Sequence, residues 1–128
     1  MNSSISLTEA EWSVMECLWE RSPRSGRELT GEMQTRCGWS RSTTLTLLSR
    51  METKGAVSGD SSAGKKVFSP LISRENAALQ EAENFLDRVY KGSLGLMVSS
   101  LTRKQALSQE EIDELYAILK EMEAKDNA

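Results

Sequence analysis

Apolar residues recur at helical spacing in three consecutive segments of the first half of the chain. Each segment begins at a hydroxyl residue suited to an N-cap. At Thr8 and Ser25 a glutamate follows three residues later, which completes a capping box, and Ser40 offers the third cap. The pattern therefore predicts three helices. We expect them to end where proline or glycine interrupts the pattern, near Ser22-Pro23, Cys37-Gly38 and Lys54-Gly55.

The inward stripes of these helices identify the candidate core. Trp12, Met15 and Trp19 form the main stripe of the first helix, with Val14 and Leu18 beside it. Such spacing favours a packed core over a ligand cage. The inner positions of the second and third helices are predicted to be Leu29, Met33, Thr44, Leu47, Leu48 and Met51.

After Gly55 the pattern changes from helical to extended. Two short β-prone pieces, 56–57 and 67–68, flank a stretch rich in glycine and serine that carries Lys65 and Lys66. This arrangement predicts a β-hairpin with a mobile basic tip. Pro70 cannot donate a backbone hydrogen bond, so we expect it at the end of an edge strand.

From Ser73 the spacing is helical again, in three further segments. The first has a broad apolar face, the second is short, and the third follows a capping box at Ser108 with a spacing like a coiled-coil seam. Because these faces need a partner, we predict a homodimer. The expected dimerisation residues are Phe85, Val89, Leu94, Met97, Val98, Leu101, Ile112, Leu115 and Leu119.

Three helices followed by a basic hairpin are the arrangement of a winged helix-turn-helix. We therefore predict a mainly α (α+β) fold. Residues 1–73 would form a winged-helix DNA-binding domain, and 74–128 a helical dimerisation arm.

The distribution of charge supports this division. The formal net charge is −3, which by itself argues against nucleic-acid binding. Residues 22–74, however, hold nine basic against four acidic residues, a net of +5, whereas 75–128 hold six against eleven, a net of −5. A basic middle and an acidic end are typical of a binding module joined to an arm.

Composition also narrows the chemistry. The chain has no histidine, so Ser-His and Cys-His nucleophile pairs and most zinc sites are excluded. We expect no enzyme activity, no cofactor and no metal. Two cysteines, Cys17 and Cys37, suit a reducing cytoplasm, and no signal peptide or membrane span is evident in the sequence. The predicted location is cytoplasmic, without membrane insertion.

The third helix carries the candidate DNA-reading residues. Its outward hydroxyls can reach base edges, and its arginines can reach guanine or phosphate. Leu45 is apolar beside them and either touches a thymine methyl group or fills a gap near the hairpin. The indole of Trp39 either reaches a phosphate or packs the corner. The expected DNA-binding residues are Trp39, Ser40, Arg41, Ser42, Thr43, Thr46, Arg50, Lys65 and Lys66.

Several segments resemble the penicillinase-repressor family, which includes methicillin-resistance and copper-responsive repressors (the BlaI/MecI/CopY type). They are 7–15 (LTEAEWSVM), 39–44 (WSRSTT), 46–51 (TLLSRM), 64–72 (GKKVFSPLI) and 107–112 (LSQEEI). The resemblance implies a dimeric winged-helix repressor that reads DNA with Ser42, Thr43 and Thr46. It places Arg50 and the wing lysines near the DNA backbone.

The resemblance also implies how the repressor is released. In the antibiotic-responsive branch, a membrane sensor metalloprotease system leads to cleavage between Asn and Phe in the arm. The corresponding bond here is Ser100–Leu101. The tail lacks the paired cysteines of the copper-responsive branch, which disfavours copper sensing.

The sequence thus predicts a transcriptional repressor that binds a palindromic double-stranded DNA operator as a homodimer. The resemblance implies control of β-lactam resistance genes and release by proteolysis. One alternative is a ligand-, redox- or metal-responsive regulator of another operon, with Cys17 or Cys37 as a redox sensor. A second is a module that binds a partner protein instead of DNA.

Overall fold

The computed structural model describes residues 5–104 and 107–127 and consists of six helices and three short strands within those ranges. It divides after Glu83 into two compact units, here called the winged-helix unit and the C-terminal unit. The elements in chain order are α1 (Glu9–Glu20), β1 (Arg24–Ser25), α2 (Gly26–Cys37), α3 (Arg41–Lys54), β2 (Val57–Asp60), β3 (Val67–Pro70), α4 (Arg74–Tyr90), α5 (Leu94–Arg103) and α6 (Gln109–Asp126).

The predicted helix ends are confirmed by their caps. Complete capping boxes are present at Thr8, Ser25 and Ser108, and the Ser40 hydroxyl accepts a hydrogen bond from the Thr43 amide. Gly55 ends α3 with φ of 86°, a left-handed conformation that costs glycine little because it has no Cβ. These local signals fix where α3 begins and ends.

The core of the winged-helix unit lies where α1, α2, α3 and the sheet meet. The predicted inner faces of α2 and α3 are buried as expected, but the prediction for α1 is partly wrong. Its buried face is centred on Val14, Met15 and Leu18, while Trp12 and Trp19 lie at the margin and are only partly buried. Their indole N–H groups explain this, because each needs an acceptor: Trp12 donates to Glu16 (3.1 Å) and Trp19 donates to the carbonyl of Ile72 (3.0 Å).

The sheet is antiparallel with strand order β1-β3-β2. The prediction that Pro70 ends an edge strand is wrong, because Pro70 is the last residue of the central strand β3. It is tolerated there because β1 pairs only with Val67 and Phe68, which leaves β2 as the single neighbour of Pro70. The two-residue strand β1, which the sequence pattern did not predict, therefore joins the start of α2 to the hairpin.

The division between the units lies inside α4, after Glu83. Ala77 in the first turn of α4 is buried, and this explains why the helix begins within the winged-helix unit. The limits of a dimerisation domain stay a prediction. The C-terminal unit keeps much of its apolar surface exposed, including Phe85, Val89, Leu94, Leu96, Leu101, Leu115, Tyr116, Ile118, Leu119 and Met122.

A buried ion pair connects α1 to the end of α3. The Glu11 carboxylate is fully buried and accepts hydrogen bonds from the Thr8 amide (2.9 Å) and the Lys54 ammonium (2.7 Å). Lys54 also donates to the carbonyl of Ser6 at 2.8 Å. Burial acts to raise the pKa of Glu11, but the hydrogen bonds from Lys54 and Thr8 outweigh it and hold that pKa below its ordinary value.

We expect Lys54→Met to lower the free energy of unfolding by about 3 kcal/mol at pH 7, because it leaves a buried carboxylate without its cation. Urea denaturation measures the change. The folded pKa of Glu11 is lowered, so the stabilisation from the pair is fully present above the ordinary pKa of 4.5 and is lost as the pH falls through the folded pKa. The difference in the free energy of unfolding between variant and wild type should therefore shrink at pH 3. Lys65→Met, the same change at an exposed position, is the control; equal losses in both variants would contradict the assignment.

Candidate nucleic-acid interface

Helix α3 presents a polar outer face because its inner face is fully used by the core. Thr44, Leu47, Leu48 and Met51 are buried, and this fixes the rotation of the helix about its axis. The residues on the opposite side are all exposed: Arg41, Ser42, Thr43, Leu45, Thr46, Ser49 and Arg50. Short hydroxyls on an exposed helix allow close approach to another surface, and the arginines supply charge.

Hydroxyl groups cluster at the N-terminus of α3. The Ser40 Oγ lies 3.2 Å from the Ser42 Oγ and 3.0 Å from the Thr43 Oγ1, and it also accepts from the Thr43 amide at 3.2 Å. This end of the helix carries the positive end of the helix dipole. The cluster can therefore both donate and accept hydrogen bonds beside a partially positive helix end.

One concavity of about 380 Å³ lies along the α1 side of α3. It brings together five of the residues predicted for DNA binding, namely Trp39, Ser42, Thr43, Thr46 and Arg50, with Ala10 and Leu47 completing the wall. Trp39 is half-buried and packs against the core while it lines this concavity. Both interpretations of Trp39 thus remain compatible with its position.

A second concavity of about 400 Å³ lies on the other side of α3, between this helix and the wing (the hairpin of β2 and β3). Lys65 and Lys66 lie on its rim as predicted, and so does Arg27, which the sequence analysis missed. Arg27 is exposed in the first turn of α2, and pairing of β1 with β3 brings that turn to the wing. Because β1 has only two residues, the sequence carries no periodic signal for its pairing with β3.

The two lysines of the wing differ in how they are held. Lys66 donates to the Glu52 carboxylate at 2.8 Å and lies 5.4 Å from the centre of the Phe68 ring, so this side chain packs back against the winged-helix unit. Gly59 permits the pairing: a Cβ there would lie 2.7 Å from the Glu52 Oε2 and would also clash with the Lys66 side chain. Lys65 is exposed beside it.

The cysteines offer little support for redox sensing. Cys17 is fully buried with its thiol 3.4 Å from the Met33 sulfur, and burial raises its pKa, which disfavours the reactive thiolate. Cys37 is exposed at the end of α2. Within 5–104 and 107–127, no three His, Cys, Asp or Glu side chains group as a metal site would require. No helix in that part of the chain is long and apolar enough to cross a membrane.

The family model described as Penicillinase repressor matches residues 7–121. The chain belongs to the penicillinase repressor family. The chain is 32% identical over 120 residues to the methicillin resistance regulatory protein MecI of Staphylococcus aureus, covering 92% of this chain and 96% of MecI. It is 34% identical over 115 residues to the penicillinase repressor of Bacillus licheniformis, covering 90% of each.

Solved structures of the repressor BlaI resemble the winged-helix unit of this family member. The solution structure of the BlaI DNA-binding domain covers 59% of this chain and 93% of its own, with a TM-score of 0.53 and 28% identity. The B. licheniformis BlaI monomeric form in complex with the blaP half-operator gives the same values. The predicted fold class is confirmed: this member of the family has a winged-helix domain.

Burial predicts different reactivities for the two thiols of this family member. We expect Cys37 to react rapidly with an aromatic disulfide reagent in the folded protein, and Cys17 to react at least about 100-fold more slowly, because it must wait for local opening. The rates are measured on Cys17→Ser and Cys37→Ser, each of which retains one thiol. Rapid reaction of the folded Cys37→Ser variant would contradict the buried position of Cys17 and revive the redox alternative.

Proposed function

We propose that this member of the penicillinase repressor family is a DNA-binding transcriptional repressor whose helix α3 enters the major groove of its operator. The observation that carries the proposal is the exposed hydroxyl face of α3, which is flanked on both sides by concavities lined by arginine or lysine side chains. A helix in the major groove has a phosphate backbone on either side, and the two concavities suit those two strands. The solved complex of the similar repressor BlaI with the blaP half-operator supports DNA as the partner.

The side chains divide by the part of DNA that each would contact. Ser42, Thr43 and Thr46 would reach base edges, with Ser40 orienting two of these hydroxyls. The longer or cationic groups would contact phosphate and supply affinity independent of sequence. These groups are Trp39 through its indole N–H, Arg41, Arg50, Lys65, Lys66 and, in addition to the sequence prediction, Arg27.

Arg50→Ala tests the backbone contact on the α1 side of α3. Loss of one phosphate contact should weaken binding roughly tenfold at low salt and reduce the slope of log K against log salt by about 0.9. Mobility-shift titrations at several salt concentrations measure both, on a duplex that wild type selects from a random-sequence library. Arg103→Ala removes the same charge in the C-terminal unit and should leave the slope unchanged. An unaltered slope in Arg50→Ala would refute this assignment.

The repressor would act as a homodimer through the C-terminal unit. Phe85, Val89, Leu94, Leu101, Leu115 and Leu119 are exposed in the single chain, and Met97, Val98 and Ile112 are half-buried. So many apolar side chains on helices of one short unit are unusual for a monomer and typical of a surface buried by association. A twofold dimer presents two reading helices, so its operator would be palindromic.

Leu115→Asp tests this association. We expect the variant to be monomeric at micromolar concentration, because it places a carboxylate within the apolar seam of α6. Light scattering measures the mass. Ala117→Asp introduces the same group on the opposite side of α6 and should remain dimeric. An intact Leu115→Asp dimer would show that the seam is placed elsewhere.

The proposed release step is cleavage of the Ser100–Leu101 bond, triggered by a membrane sensor metalloprotease system in response to β-lactams. The names of the relatives support β-lactam resistance genes as the target, whereas the cleavage step is inferred from the resemblance of the sequence to the family. The bond lies within α5, where Leu101 is exposed and the Ser100 hydroxyl donates to the carbonyl of Leu96 at 3.0 Å. Since proteases bind their substrates in extended form, α5 would have to unwind locally before cleavage.

A further inference from the structure

Leu45 is an apolar residue on the otherwise polar outer face of α3. Its side chain remains 38% exposed, although the neighbouring core positions Thr44 and Leu47 are buried. It lines the concavity between α3 and the wing rather than the one that holds Arg50. A leucine with this much open surface does not serve only to fill the core.

Gly26 and Phe68 pack against the inner side of Leu45. A Cβ built on Gly26 would lie 3.6 Å from the Leu45 Cδ2 and 3.7 Å from the Phe68 Cε2, so the first residue of α2 and the wing aromatic ring meet around this side chain. Phe68 is itself buried. One side of Leu45 therefore packs against Gly26 and Phe68, and the other side faces the open concavity.

The rim of this concavity indicates what occupies it. Arg27, Lys65 and Lys66 surround the apolar floor, and such a rim is complementary to a polyanion. If α3 lies in the major groove, as proposed above, Leu45 faces the base edges next to the DNA strand whose phosphates are bound at this rim. On those edges the methyl group is the C5-methyl of thymine, whereas the other distinguishing groups are hydrogen-bond donors or acceptors.

We propose that Leu45 is a specificity-determining residue that contacts the C5-methyl group of one thymine in each half of the operator. Leucine offers no hydrogen bond to a base edge but can bury a methyl group, so the position favours thymine over cytosine, which lacks the C5-methyl. This inference rests on the proposed function, since it requires α3 in the major groove. It adds a named base contact at a residue outside the hydroxyl cluster.

Replacement of thymine by deoxyuridine removes only the methyl group and leaves base pairing intact. The experiment uses the full-length protein and a duplex that it selects from a random-sequence library, with each thymine replaced in turn. Dissociation constants are measured by fluorescence anisotropy at one fixed salt concentration. For wild type we expect one thymine in each half-site at which the replacement weakens binding about fourfold, the amount expected for one buried methyl group.

Leu45→Ala should lose this sensitivity, so that thymine and deoxyuridine duplexes bind within about 1.5-fold of each other at that position. Leu45→Met keeps an apolar contact and should retain a preference for thymine, and Leu71→Ala, an exposed leucine away from the concavity, should behave as wild type. Thermal unfolding establishes that Leu45→Ala is folded.

Two results would overturn the inference while leaving the proposed function intact. One is a wild type that binds duplex DNA with the expected salt dependence but has no sensitive thymine. The other is a Leu45→Ala variant that keeps the sensitivity at the same thymine. Failure of wild type to select or bind any duplex would overturn both this inference and the proposed function.

Discussion

The buried pair of Glu11 and Lys54 is the interaction on which the geometry of α3, the proposed DNA-reading helix, depends. Glu11 completes the capping box of α1, and Lys54 is the last residue of α3, so one carboxylate ties the start of one helix to the end of the other. A buried carboxylate that loses its cation is costly, so separation of the two helices at this point is strongly opposed. The inner face of α3 fixes the rotation of the helix, and this pair fixes where its last turn lies.

The short ladder between β1 and β3 is the second constraint, and it joins parts of the chain that are far apart in sequence. Register places Arg24 opposite Phe68 and Ser25 opposite Val67, immediately before the first turn of α2. As a result Gly26 and Arg27 lie beside the wing and complete the concavity that contains Leu45. The wing is held from its other side by the pairing of Lys66 with Glu52, which passes close to Gly59.

Local signals explain why much of the fold could be predicted. The capping box at Ser25 and the glycine after Lys54 are fixed by neighbouring residues alone, and the i, i+3, i+4 spacing defines which face of α3 is inward. Periodicity does not distinguish the centre of the buried face of α1 from its margin, so it predicts deeper burial for Trp12 and Trp19 than the structure shows. The position of Arg27 beside the wing and the pairing of Glu52 with Lys66 could not be predicted either, because they depend on strand register and leave no repeating pattern in the sequence.

Affinity and specificity are assigned to different parts of the proposed interface, and this bears on how the repressor would be released. In the proposed interface the cationic side chains would supply binding to any duplex, while Ser42, Thr43, Thr46 and Leu45 would form only a few base contacts, so a single α3 helix would discriminate weakly. Joining two such helices in a dimer makes the second binding event intramolecular and raises avidity by about 10²–10⁴ without a new contact. Cleavage at Ser100–Leu101 would separate Leu101 and α6 from the winged-helix unit, while Phe85, Val89, Leu94, Met97 and Val98 would stay attached to it. Loss of the α6 seam would weaken the dimer and lower its avidity while leaving the proposed DNA-contacting residues intact, so release would require no change in α3 itself.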